Sequence, residues 1–367
     1  MYSKLKVLLL LAEFPFWRAA RHLSYSVQLG IEDGLHANEV QCLTVTSPWL
    51  PKVLELWGTR KFDQVWLAGR LDLFDEVSLQ RLFTMAPVRL VMLAESLEYS
   101  AEEYRVSPTL KNRKRIVERR LQYMTHALAC DEKDVAQINA DRKASAIWWP
   151  QAVPARFISE TGGGSPSLNC GVFCGACYGV RREWLGRPDL KPVLTRSKSP
   201  ETGTMYPFLF NALHLPFIRP FRFALPIKEQ HLARYLSRLR YIRERCFEGW
   251  LKGLQTGCAV VNLPHLVKTY AGRVVEGMAA GRPVISWEIP GRPLNKALFE
   301  DEREILLYPE NDPHQLASHL KRILTDRDLS QRIVLNARKK IRRFHTSEIR
   351  VRQILDWINN GQVPAYL

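Results

Sequence analysis

The sequence predicts two doubly wound α/β domains, each a parallel sheet covered by helices. Apolar strand-like runs alternate with helical stretches through residues 1–150. The alternation restarts after a Gly- and Ser-rich stretch at 160–167. At 367 residues, 46% hydrophobic and 25% charged, the chain is long enough for two cores.

Taken in order, Leu5 to Ala12 reads as a first buried strand and Ala19 to Gly34 as a helix. Val40 to Thr46 and Phe62 to Ala68 are the next strands. Val77 to Met85 is helical, and Val88 to Ala94 is a fourth strand. A basic helix spans Lys111 to Met124. It is followed by strand Ala127 to Cys130, helix Lys133 to Asn139 and strand Ala146 to Trp149, which Pro150 ends. Val153-Pro154 marks the linker. The second half restarts with a strand in Asn169 to Tyr178 and a helix through Trp184. Thr195 to Pro226, rich in Pro and aromatics, reads as an irregular excursion with a helix near Tyr206 to Leu213. His231 to Lys252 is a long helix, and Ala259 to Leu263 and Val284 to Trp287 are strands. The domains are therefore set at 1–152 and 153–345, with a C-terminal helix at 346–367 returning to the first.

No apolar run reaches the roughly 18 to 20 residues that span a bilayer. Val7 to Ala12 is too short for a secretory signal and lacks a small-residue cleavage site, so the expected location is cytoplasmic, with peripheral contact at a membrane. The net charge of +16 favours anionic partners: phosphates, an anionic membrane surface or nucleic acid. Three runs carry the excess: Lys111 to Arg120, Arg234 to Arg245, and Arg338 to Arg343. Each also reads as an ordinary solvated helix face. Seven cysteines, mostly in apolar contexts, fit buried thiols in a reducing compartment.

The most informative stretch is Gly272-Arg273-Val274-Val275-Glu276-Gly277-Met278-Ala279-Ala280-Gly281-Arg282-Pro283-Val284-Ile285. It reads as a short helix that stops at Gly281 and feeds a buried strand. Arg273 and Glu276 are close neighbours on the helix. Gly272 leaves room at the helix start, where free N–H groups attract phosphate. The helix follows the strand ended by Asn262, and ligands of such sheets bind at the carboxyl ends of strands. His265 and Lys268 lie between the two, and we include Asn262, His265 and Lys268 in the expected donor site. Earlier, Gly175 and Gly179 would let backbone approach a phosphate and Arg181 would add charge. His22, just past the first strand, is the candidate general base, since an imidazole titrates near neutrality. For each of these the alternative is an ordinary packing or surface role.

Glu276-Gly-Met-Ala-Ala-Gly-Arg-Pro-Val-Ile285 resembles the C-terminal signature of glycosyltransferases with the two-domain GT-B fold. Arg273-x-x-Glu276 is closest to their spore-maturation (CgeB-like) branch. The resemblance continues through Phe299 to Tyr308, Leu316 to Leu324 and Phe344-His345-Thr346. It implies two domains facing across a cleft, a nucleoside-diphosphate sugar donor that is UDP-linked, and Glu276 on the ribose hydroxyls. Where many retaining members carry an earlier glutamate, this chain has Lys268. No cofactor and no metal is expected, since no paired-aspartate motif is present.

Other readings compete. A nucleotide-sugar epimerase uses the same fold, and the charge alone would suit a nucleic-acid-binding protein. Cys170-x-x-x-Cys174-x-x-Cys177 has the spacing of radical-SAM iron–sulfur enzymes, but Ala176 stands where those usually carry an aromatic.

Overall fold

The computed structural model describes residues 2, 4–11, 26–47, 50–57, 62–141, 143–160, 164–197 and 229–366. Six parallel strands build the first sheet: β1 (Lys6–Leu11), β2 (Gln41–Thr46), β3 (Gln64–Ala68), β4 (Val88–Leu93), β5 (His126–Ala129) and β6 (Ser145–Trp148). Their spatial order is β2-β1-β3-β4-β5-β6. Val7 to Leu11 is at most 1% exposed because the sheet is covered on both faces, which is why it reads as an unbroken apolar run. The helices are α1 (Ser26–Ala37), α2 (Leu50–Trp57), α3 (Glu76–Met85), α4 (Ala101–Val106), α5 (Thr109–Arg120) and α6 (Glu132–Ala140).

Five parallel strands build the second sheet: β7 (Gly171–Phe173), β8 (Leu194–Arg196), β9 (Ala259–Asn262), β10 (Val284–Trp287) and β11 (Leu306–Tyr308), in the order β11-β10-β9-β7-β8. Its helices are α7 (Val180–Gly186), α8 (Glu229–Gln255), α9 (Gly272–Ala279), α10 (Pro293–Ala297), α11 (Pro313–Thr325) and α12 (Arg327–Phe344), followed by α13 (Ser347–Asn360). No described helix is long and apolar enough to cross a membrane.

The side chains sort by strand alternation. Leu8, Leu10, Val65 and Leu67 face Leu79, Leu82 and Val117 of α3 and α5. Val7, Leu9, Leu11 and Trp66 face Ile31 and Leu35 of α1 and Val351, Ile354 and Leu355 of α13. The last helix therefore packs under the first sheet. The chain crosses between sheets at Val153 and Thr346, which form a parallel bridge. A Cβ at Gly34 would lie 2.8 Å from the Ser347 carbonyl oxygen, so only glycine lets α1 and α13 approach this closely.

Several elements differ from the expectation. The strand in 169–178 is only Gly171–Phe173, and β8 occupies the start of the stretch read as irregular. The helix expected near Tyr206 to Leu213 lies outside the described residues. Helices α2, α4 and α10 were not expected; α4 carries a full capping box, Ser100 with Glu103, a signal present in the sequence.

Candidate functional site

In the second sheet the strand order reverses between β7 and β9, the place where such sheets bind ligands. Phe173 ends β7 there. Its ring lies 5.2 Å from the Arg181 guanidinium and 5.0 Å from that of Arg273. Arg181 is fixed by three carbonyls, donating to Pro264 at 2.8 Å, Ala176 at 3.1 Å and Leu263 at 3.3 Å. Arg273 donates from Nη1 to Asn262 Oδ1 at 2.8 Å, and Asn262 in turn donates to Ser286 Oγ at 2.9 Å. Arg273 Nε has no partner among the described residues. No carboxylate among the described residues forms an ion pair with either guanidinium. Burial, then the charge of Arg273, pulls Arg181 down to about 9, and burial lowers Arg273 as well. Two guanidiniums thus stand side by side, Arg181 buried and Arg273 half-buried, with Glu276 the carboxylate whose charge acts on Arg273. Gly175 lies against them: a Cβ there would stand 2.7 Å from Arg273 Nη2, so glycine is what admits the guanidinium.

Helix α9 begins at Gly272 with no side-chain cap. Glu276 folds back over that first turn; a Cβ on Gly272 would meet its Oε1 at 2.7 Å. The carboxylate is fully buried. Oε1 accepts from Ser26 Oγ at 2.5 Å and Oε2 from Trp250 Nε1 at 2.8 Å. Arg273 and Glu276 thus part from the same helix, with Arg273 reaching toward Phe173 and Glu276 sunk between α1 and α8.

A cavity of about 680 Å³ lies between the two sheets' carboxyl ends. Glu98, Tyr99 and Glu103 line it from the first domain, and Tyr178, His265 and Glu310 from the second. His265 is 9% exposed. Its Nδ1 accepts the Val267 N–H at 3.1 Å, which leaves the proton on Nε2, and Nε2 has no partner among the described residues. Burial, then Arg181, Arg273 and Lys268, hold the ring well below the usual imidazole range, with the Thr269 backbone opposing weakly. Lys268 bridges the domains: its N–H donates to Ser96 Oγ at 2.9 Å and its ammonium pairs with Glu103 of α4. Nearby, Arg292 grips Asp131 with two hydrogen bonds of 2.6 and 2.9 Å, and the Asn295 N–H donates to Glu132 at 2.9 Å. These contacts hold the cleft closed.

His22, with Arg21 and Trp17, lies outside the described residues. The basic run on α5 is partly paired. Arg113 pairs with Glu95, Lys114 with Glu98 at 3.3 Å, and Arg119 with Glu76 at 3.0 Å, while Arg120 donates to the Leu71 carbonyl. Burial pushes the Cys174 thiol up to about 11. Among the described residues no group of three His, Cys, Asp or Glu side chains is placed to hold a metal. Sequence reasoning missed Glu103, Asp131, Arg292 and Glu310. Their signals were the capping box and the position just past β5 and β11.

Residues 226–356 match the family model described as "Glycosyl transferase-like". That stretch is similar to glycosyl transferases. Among solved structures, sucrose-phosphate synthase from Thermosynechococcus elongatus aligns over 96% of this chain and 98% of its own, with 12% identity and a TM-score of 0.53. HepE from Anabaena, solved with UDP-glucose, aligns over 96% and 99%, with 13% identity and a TM-score of 0.52. An alpha-glucosyltransferase solved with UDP and a 13-mer DNA aligns over 97% and 99%, with 13% identity and a TM-score of 0.55. The fold is GT-B. No curated protein sequence matches the chain.

Proposed function

We propose that this chain transfers a sugar from a UDP-linked donor to an acceptor hydroxyl. The observation that carries the reading is the pair of guanidiniums, Arg181 and Arg273, at the switch point of the second sheet without a carboxylate between them. A diphosphate supplies the missing charge. UDP-glucose in HepE and UDP in the alpha-glucosyltransferase support the choice of donor.

In this reading the second domain, 153–345, holds the donor, and the first domain, completed by the returning C-terminal helix, faces the acceptor. Gly175, Arg181, Gly272 and Arg273 cradle the diphosphate, with Asn262 orienting Arg273. As the bond from the anomeric carbon to the diphosphate oxygen breaks, negative charge grows on the leaving group, and both guanidiniums stabilise it. The acceptor oxygen bonds to the anomeric carbon and loses its proton to a base, for which His22 is our candidate. Glu276 takes the ribose hydroxyls when Ser26 withdraws, a diol hydroxyl replacing the Ser26 hydroxyl on Oε1. Lys268 and the Arg292–Asp131 clasp close the cavity and exclude water from the donor. The Arg273-x-x-Glu276 spacing supports the spore-maturation branch.

A thermal-shift panel of nucleotides and nucleotide sugars tests the reading. A true donor raises the melting temperature by mass action. No shift with any uridine nucleotide at millimolar concentration would refute it.

A further inference from the structure

Two unpaired groups line the second-domain wall of the cavity, one able only to donate and one only to accept. His265 Nε2–H is buried, fixed in its tautomer by Val267, and unpartnered. Glu310, just past β11, is half-buried, and no hydrogen bond or ion pair reaches its carboxylate among the described residues. Burial raises its carboxyl above the usual range, Lys268 opposes and Glu103 adds to the rise. His265 follows β9 and Glu310 follows β11, with β10 between them. Two ladder spacings, roughly 10 Å, therefore separate the strand ends. Both side chains border the same cavity. Trp287, at the end of β10, is fully buried behind His265: the His265 ring meets it edge-on with centroids 5.7 Å apart, and the Lys268 ammonium lies 6.0 Å from its centroid.

We propose that His265 and Glu310 grip hydroxyl groups of the transferred sugar and determine which sugar the enzyme accepts. A hydroxyl both donates and accepts, so it satisfies a carboxylate and an imidazole N–H, whereas a hydrogen or methyl in its place leaves both unpaired. The proposal rests on the donor reading above, and its test separates the two.

The test is calorimetric binding of UDP, UDP-glucose, UDP-galactose and UDP-N-acetylglucosamine to wild type, His265→Leu, Glu310→Ala, and the conservative His265→Gln and Glu310→Gln. Melting curves confirm that each variant is folded; Glu310, being half-exposed, tolerates substitution. The expected result is that wild type binds one UDP-sugar at least about tenfold more tightly than UDP. His265→Leu and Glu310→Ala erase that gap while leaving UDP unchanged, and the conservative variants restore part of it. The matching deoxy-sugar donor should bind wild type no better than the full donor binds the variant. A gap that survives both variants, variants that weaken UDP and UDP-sugar alike, or a wild type that binds UDP and every sugar equally would overturn the proposal. A wild type that binds neither UDP nor any UDP-sugar would instead overturn the donor reading.

Discussion

Ser26, the first residue of α1 in one domain, donates a 2.5 Å hydrogen bond to Glu276 of α9 in the other. The residue that the sequence marks most strongly is thus also a contact between the domains. Trp250 Nε1 donates to the same carboxylate.

Replacing Glu276 by Ala should therefore cost stability as well as donor affinity. It strands a buried indole N–H and removes the acceptor of Ser26 Oγ. Each unsatisfied group costs about 1 to 3 kcal/mol, so a loss of about 2 to 6 kcal/mol is expected in denaturant unfolding. Glu276→Gln keeps one acceptor and should lose less. Equal stability of Glu276→Ala and wild type would show that these bonds do not matter.

The Arg292–Asp131 pair is nearly buried, with Asp131 1% exposed. Arg292→Ala leaves that carboxylate uncompensated, at a cost of about 3 to 5 kcal/mol if the cleft stays closed. Opening the cleft rehydrates Asp131 at lower cost. Small-angle scattering should thus show a larger radius of gyration for Arg292→Ala than for wild type, and addition of donor should reverse part of it. Identical scattering curves would argue against the clasp.

Asp134 gives a pH dependence of known sign. Burial, then the neighbouring Asp131, raises its carboxyl from 3.8 to about 7, with Glu98 adding and the Leu97 N–H and Arg292 opposing. The folded chain therefore keeps this proton between about pH 4 and 7 while the unfolded chain loses it. The contribution to stability is complete below pH 4 and is lost as pH rises to 7, at up to about 1.4 kcal/mol per pH unit. Asp134→Asn should remove this slope, so the variant gains on wild type between pH 5 and 7.5 in urea unfolding. Parallel pH profiles would contradict the assignment.

The parallel sheets were legible because their central strands are apolar without alternation, as Val7 to Leu11 and Ala259 to Leu263 show. The short strands β8 and β11 were not legible from pattern alone, since three residues carry no period. At the site, the guanidiniums of Arg181 and Arg273 could be named from their place past strand ends. Their shared contact with Phe173 depends on β7 lying beside β9, a tertiary fact. The burial of Glu276 was hidden for the same reason, because Trp250 and Ser26 come from distant parts of the chain. The ion pairs of the basic run on α5 were hidden too: the partners Glu76, Glu95 and Glu98 of Arg119, Arg113 and Lys114 lie outside that helix.

Titration of UDP into wild type and Arg273→Met by calorimetry bears most directly on the proposed diphosphate site. Losing one charged contact to phosphate is worth roughly 1.5 to 3 kcal/mol, so the dissociation constant should rise about tenfold to a hundredfold in the variant. An unchanged constant, or a wild type that does not bind UDP at millimolar concentration, would contradict the assignment of Arg181 and Arg273 as the diphosphate site.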